Sequence, residues 1–226
     1  MIKAILIDIE GTVSPISFVK EVLFPYSKER IEKFIKENIN SPEIKKILDQ
    51  VREIEGKELT IDEVIQTLKK WIDEDKKIAP LKDIQGFIWK EGFEKGQLKA
   101  PLYEDTYKKI KEWKQKGYRL YIYSSGSVQA QKLFFSHTQY GDLTGYFDGY
   151  FDTKIGNKKE KQSYIKIADE IGLKPEEILF LSDNPDEIKA AAEAGMKVYR
   201  LVRPADAEYI KDFPYPQVKD FYGVEV

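Results

Sequence analysis

The chain has 226 residues, enough for one large domain or a core with a smaller second unit. Hydrophobic residues make up 42%, and 37 Lys and Arg stand against 39 Asp and Glu, so a packed core is expected while a net charge of −2 offers no electrostatic ground for nucleic acid or a membrane surface as partner. Cysteine is absent and histidine occurs once, which excludes disulfides, thiol chemistry and His-rich metal sites.

The first element is the apolar run Ala4-Ile5-Leu6-Ile7, which ends in Asp8 and is followed by Ile9-Glu10-Gly11-Thr12. A short apolar run closed by a turn signal reads as a buried strand of a parallel sheet. Because the chain enters this strand almost at once, no signal peptide is expected. No apolar stretch is long enough to span a bilayer, and a soluble, cytoplasmic monomer is the expectation.

Residues 15–102 contain no convincing strand and read as helices. Ile31, Phe34, Ile35 and Ile39 recur at helical spacing. Ser41-Pro42-Glu43 opens a second helix, with Ser as its cap and the stripe Ile44, Ile47, Leu48, Val51 and Ile54. Thr60-Ile61-Asp62-Glu63 has the form of a capping box ahead of Val64, Leu68, Trp71 and Ile72. Helical character then runs from Ile84 to the glycines at 92 and 96.

From 103 onward helix and strand alternate. Helices are expected over 105–116, from 127 to about 137, over 161–171 and over 186–194. Strands are expected over 118–123, 149–152, 178–181 and 197–202, the last of them the final clear strand. Such alternation implies right-handed βαβ units and a doubly wound α/β core with a parallel sheet. The helical block is then an insertion after the first strand. Its expected form is a helical cap over 15–102, with 1–14 and 103–226 as the core.

Ligands of open α/β sheets bind at the carboxyl ends of the strands. Four groups of residues are expected on that edge: Asp8 with Glu10; Ser124 and Ser125; the lysines 154, 158, 159 and 161; and Ser182-Asp183-Asn184-Pro185-Asp186-Glu187. Together they contain what phosphoryl transfer from an ester requires. A carboxylate attacks phosphorus and divides one hard displacement into two easier ones. A Mg²⁺ ion held by oxygen ligands such as Asp8 and Asp183 would screen two anions from each other. A lysine and a hydroxyl would hold the phosphoryl oxygens. Glu10, two residues past Asp8 on an extended segment, would protonate the leaving oxygen.

These segments resemble the haloacid dehalogenase superfamily, with its Rossmann-like core and a cap between the first two motifs. More narrowly, Glu10, the stretch Tyr121-Ile122-Tyr123-Ser124-Ser125-Gly126-Ser127-Val128-Gln129-Ala130-Gln131-Lys132-Leu133 and Tyr150-Phe151-Asp152-Thr153-Lys154-Ile155-Gly156-Asn157-Lys158 resemble the enolase-phosphatases of methionine salvage. The resemblance implies a methylthio-diketopentyl 1-phosphate substrate that is enolised and then dephosphorylated with Mg²⁺. It puts Asp8, Glu10 and Asp183 on metal-site positions and Ser124, Ser125 and Lys158 on substrate-binding positions. Spacing leaves the choice among the four lysines open; only the resemblance selects Lys158.

Plainer roles compete for several of these residues. An Asp closing a strand is often a turn or helix cap, and Asp186 is expected to cap its helix rather than touch metal. Ser127 is expected to cap the helix that follows it, and His137 to sit as a favourable charge at that helix's C-terminus. Glu187 could stand in the outer shell of a metal. The alternatives to an enolase-phosphatase are a general phosphatase or phosphomutase on another small phosphorylated metabolite, and a phospho-Asp receiver. The receiver would carry its Asp after a middle strand and would need neither Glu10 nor the insertion.

Overall fold

The computed structural model describes residues 1–226 and divides into two compact units, Met1–Ile16 with Lys99–Val226, and Ser17–Leu98. The first unit is built on a six-stranded sheet: β1 (Ala4–Ile7), β2 (Arg119–Tyr123), β3 (Gly149–Phe151), β4 (Ile178–Ser182), β5 (Lys197–Leu201) and β6 (Gln217–Val218). The order across the sheet is β3-β2-β1-β4-β5-β6, and every pairing is parallel. All four residues of β1 and all five of β4 are buried, as strands covered on both faces must be. The edge strands have only three and two residues, which limits the exposed backbone available for wrong pairing.

The connecting helices are α5 (Glu104–Gln115), α6 (Val128–Ser136), α7 (Lys161–Ile171) and α8 (Pro185–Glu193). One face of the sheet packs Leu6, Tyr123 and Phe180 against Tyr164, Ile167 and Ile188 of α7 and α8. The chain leaves β1 on one side of the sheet and returns to β4 on the other. The crevice between the carboxyl ends of β1 and β4 is therefore the topological switch point, where doubly wound sheets bind ligands.

β6 is an element that the sequence reading lacks. Two polar-flanked residues carry no periodicity. They become a strand because Arg200 N–H donates to the Pro216 carbonyl at 2.9 Å and Val202 N–H to that of Val218 at 2.8 Å.

The second unit contains α1 (Phe24–Glu37), α2 (Pro42–Glu55), α3 (Ile61–Asp73) and α4 (Ala79–Glu94). Its core is formed by Ile31 and Ile35 of α1, Ile47 and Val51 of α2, Leu68 and Trp71 of α3, and Ile84 of α4. Thr60 and Glu63 form the expected capping box. Ser41 holds the extended conformation of a cap, but its side chain makes no capping bond; Pro42, with no N–H of its own, starts the helix instead. Ile54, expected on the buried stripe, is 50% exposed because the stripe reaches the end of α2. A π-helical turn, Phe18–Leu23, precedes α1, and the Leu23 carbonyl accepts a bond from the Trp89 indole at 2.9 Å. No helix is long and apolar enough to cross a membrane.

Candidate active site

Strand pairing puts the first two acids side by side. Ile7 lies opposite Leu181, and Asp8 N–H donates to the Leu181 carbonyl at 2.9 Å. Asp8 therefore ends β1 next to Ser182 and Asp183 at the end of β4. The chain then turns sharply. The N–H groups of Thr12, Val13 and Ser14 all point to the Ile9 carbonyl. Gly11 takes φ +74°, a conformation that side-chain-bearing residues rarely adopt. A Cβ at this position would also collide with the Asp183 carboxylate. Glycine is thus needed here both for backbone shape and for the approach of the second acid.

Thr12 is fully buried and joins both acids. Its hydroxyl donates to Asp8 Oδ2 at 3.1 Å and accepts from Asp183 N–H at 3.1 Å. Nothing in the sequence singles out Thr12 for this role beyond a hydroxyl within one turn of a strand-terminal acid.

The structure separates the four lysines. Lys154, Lys159 and Lys161 are exposed, whereas Lys158 is buried, with its Nζ 2.5 Å from Asp8 Oδ1 and 3.0 Å from Glu187 Oε2. Its loop is held by buried hydroxyls. Tyr123 donates to the Gly156 carbonyl at 2.8 Å, Ser163 to that of Asn157 at 2.6 Å, and Tyr164 to that of Lys158 itself at 2.5 Å. Glu187 Oε2 also accepts from the Ser182 hydroxyl at 2.8 Å.

Asp186 differs from expectation. Asn184 caps α8 instead, accepting from the N–H groups of Asp186 and Glu187, while exposed Asp186 lies 3.3 Å from Lys159. An Asn at this position closes an Asx turn onto the next two amides, which leaves Asp186 in the first helical turn.

Ser124 is buried one strand over, at the end of β2. Its N–H donates to the Phe151 carbonyl at 3.1 Å, and its hydroxyl accepts from Gly126 N–H at 3.4 Å. Ser125 beside it is half-buried. Gln131, not anticipated, donates through Nε2 to the carbonyls of Gly126 and Phe151, each at 2.8 Å, and so secures this loop. Ser127 caps α6 as expected, and His137 closes that helix with Nδ1 3.0 Å from the Leu133 carbonyl. Glu10 is exposed in the turn after Asp8, unlike the buried acid two residues before it.

The electrostatics of this edge are unbalanced toward negative charge. Burial, reinforced by the charges of Asp8 and Glu187, pushes the Asp183 carboxyl up to about 8. Burial and Asp8 likewise raise Glu187. For Lys158, burial alone would lower the pKa, but Asp8 and Glu187 outweigh it and hold the ammonium above its ordinary value. Three acids thus face the Lys158 ammonium, and the buried Arg200 guanidinium donates through Nε to the Asp183 carbonyl at 2.8 Å. No set of three His, Cys, Asp or Glu side chains forms a complete cage for a metal. Mg²⁺ does not require one, since it is usually held by one or two carboxylates together with phosphate and water. The oxygen donors fit that ion, and a cation placed among them would favour the ionised form of Asp183 that burial and its acidic neighbours disfavour.

Comparison with known proteins gives this edge its context. A family model described as haloacid dehalogenase-like hydrolase matches residues 2–195. The chain is 71% identical to the enolase-phosphatase E1 of Persephonella marina, over 98% of this chain and 97% of that protein. It is 64% identical to the enolase-phosphatase E1 of Aquifex aeolicus, over 90% of this chain and 91% of the relative. The chain belongs to the enolase-phosphatase E1 family of haloacid dehalogenase-like hydrolases. The fold of the family also appears in the crystal structure of the UTR4 protein of Saccharomyces cerevisiae, with a TM-score of 0.86 and 39% identity over 99% of this chain and all of that one. Within the family frame, the buried Asp8 at the β1 end and the Asp183 segment at the β4 end occupy the switch-point crevice.

Proposed function

We propose that the chain is an acireductone synthase of methionine salvage. It converts 2,3-diketo-5-methylthiopentyl 1-phosphate to the dihydroxy-keto-methylthiopentene and phosphate through an aspartyl phosphate on Asp8. The observation that carries this reading is the buried Asp8 carboxylate, held at one oxygen by Thr12 and at the other by Lys158, beside Asp183.

Enolisation comes first: the carbon beside a carbonyl gives up a proton and the carbonyl oxygen takes one up, which forms the enol with no net change in protons. An oxygen of Asp8 then attacks phosphorus, the bond from phosphorus to the substrate oxygen breaks, and Glu10 gives that oxygen its proton. Exposure of Glu10 suits a group that must exchange protons with solvent. Water next attacks the aspartyl phosphate, releasing phosphate and restoring Asp8. Lys158 exchanges its ion pair with Asp8 for the phosphoryl oxygens, and Ser124 and Ser125 orient them. Asp8 and Asp183, with the Glu10 segment, would hold Mg²⁺, which when bound supplies positive charge beside the phosphoryl and enolate oxygens. The substrate is a small phosphorylated metabolite, and the chain works as a monomer in the cytoplasm. The helical unit, rather than the generic phosphoryl chemistry of the core, selects the methylthio substrate.

Rapid mixing with the diketone phosphate tests the order of steps. An enol absorbance should rise before phosphate appears, and Asp8→Asn should release no phosphate while keeping its fold. Phosphate release without an enol stage, or equal turnover of common sugar phosphates, would reduce the reading to a general phosphatase. Appreciable phosphate turnover by Asp8→Asn would remove the covalent mechanism.

A further inference from the structure

A buried cation outside the four motif segments is bonded to the turn that carries Asp8. Arg203, two residues beyond β5, is 3% exposed. Its Nε and Nη2 donate to the Thr12 carbonyl at 3.0 and 2.7 Å. Nη1 donates to Asp105 Oδ1 and Nη2 to Thr106 Oγ1, both at 3.0 Å. The guanidinium carbon lies 4.0 Å from the centre of the Tyr103 ring, so the group is fixed by stacking as well as by hydrogen bonds.

A purely structural role would be an ion pair joining α5 to the C-terminal segment, where Asp105 Oδ2 also accepts from Phe221 N–H at 2.8 Å. The ion pair does not account for the two donors committed to the Thr12 carbonyl. The same residue's hydroxyl bonds the Asp8 carboxylate and the Asp183 amide, so a shift of the Thr12 peptide moves the contact that both acids share. Arg203 also lies beyond residue 195, where the match to the general hydrolase family ends.

We propose that Arg203 is a positioning residue: by gripping the Thr12 carbonyl, it keeps the Thr12 hydroxyl between Asp8 and Asp183 and sets the spacing of the two acids. This rests on reading Asp8 as nucleophile and Asp183 as its metal-holding partner.

The test is a set of four variants: Arg203→Met, Asp105→Asn, the double variant, and Arg203→Lys. Melting temperature, kcat and KM on the diketone phosphate, and hydrogen exchange at the Asp183 amide are measured for each. Arg203→Met should lose stability, because Asp105 is left buried and unpaired. Its kcat should fall roughly 10–100-fold with KM little changed, as for loss of other outer-shell supports. Asp105→Asn should lose stability but keep most of its kcat. Replacing both partners should restore the melting temperature toward wild type, while kcat stays low and the Asp183 amide exchanges faster. Arg203→Lys keeps the charge facing Asp105 but lacks the fork, so it should show the same loss of kcat near the wild-type melting temperature. Should the double variant fail to fold, Arg203→Lys separates the two roles in its place. Recovery of wild-type kcat and amide protection in whichever of these two variants is stable would make Arg203 structural only. Should the wild-type protein fail to convert the diketone phosphate, the substrate reading falls, and amide exchange still decides the role of Arg203.

Discussion

Lys158 shows how much one side chain's surroundings decide. It is buried between Asp8 and Glu187, while the neighbouring lysines 154, 159 and 161 face solvent. Truncating it removes the cation paired with two buried acids, Asp8 and Glu187, and breaking such a pair costs about 3–5 kcal/mol. Lys158→Ala should therefore lower both stability and phosphoryl transfer, whereas Lys154→Ala and Lys161→Ala should change each very little. Equal small effects across the series, measured by thermal melts and phosphate release, would mean that the Asp8–Lys158 contact has no catalytic weight. Asp183 gives a pH dependence of definite sign. Its folded pKa of about 8 lies above the unfolded carboxylate value of about 4. Between these values the unfolded chain has lost a proton that the folded chain keeps, so stability from this group is full below about pH 4 and is lost as pH rises toward 8. Without metal, the melting temperature should fall across that window more steeply than in Asp183→Asn. With Asp183 as the proposed Mg²⁺ ligand, binding would displace the same proton, so apparent Mg²⁺ affinity should rise with pH up to about 8. A wild-type profile that parallels Asp183→Asn would show that Asp183 titrates as an ordinary carboxylate.

At the scale of the element, the turn after β1 matters more than its length suggests. Gly11 and Gly56 both have positive φ, at +74° and +64°. A Cβ at Gly56, which caps α2, meets nothing within 4 Å, whereas one at Gly11 strikes Asp183. Gly56→Ala should cost only the backbone term, about 1–2 kcal/mol, and leave turnover unchanged. Gly11→Ala should carry the same backbone cost and also displace the Asp183 carboxylate, reducing turnover and Mg²⁺ affinity together. Calorimetric Mg²⁺ titration alongside kinetics separates the two variants, and a fully active Gly11→Ala would sink the close-approach argument. Elements of this kind differ in how far the sequence reveals them. The Thr60–Glu63 box and the Ser127 cap are legible because each is a local exchange of hydrogen bonds. The α8 cap falls at Asn184 rather than at the expected Asp186, because Asn and Asp both favour the position and stand two residues apart. The strand Gln217–Val218 has no local signal, since its pairing is with β5.

For the whole molecule, substrate choice is the property to test. The core unit brings Asp8 and the Asp183 segment together at the β1–β4 switch point, and the helical unit Ser17–Leu98 has its own apolar core. Replacing the helical unit by that of a general phosphatase with the same core should lower kcat/KM for the diketone phosphate by several orders of magnitude while phosphate release from a simple ester persists. Loss of both activities equally in a folded chimera would place specificity in the core.

By itself, the sequence determined the alternation of apolar runs and helical stripes, and hence a parallel doubly wound sheet with acids at strand ends. These are properties of neighbours along the chain, where a period of two or of 3.6 exposes the buried face directly. Tertiary structure decided which lysine meets Asp8, that Thr12 joins two acids, and that Arg203 reaches the Thr12 carbonyl. Asp8 and Lys158 are 150 residues apart, and Thr12 and Arg203 are 191 apart. Their meeting depends on strand order and on the course of the C-terminal segment, and no local periodicity records either.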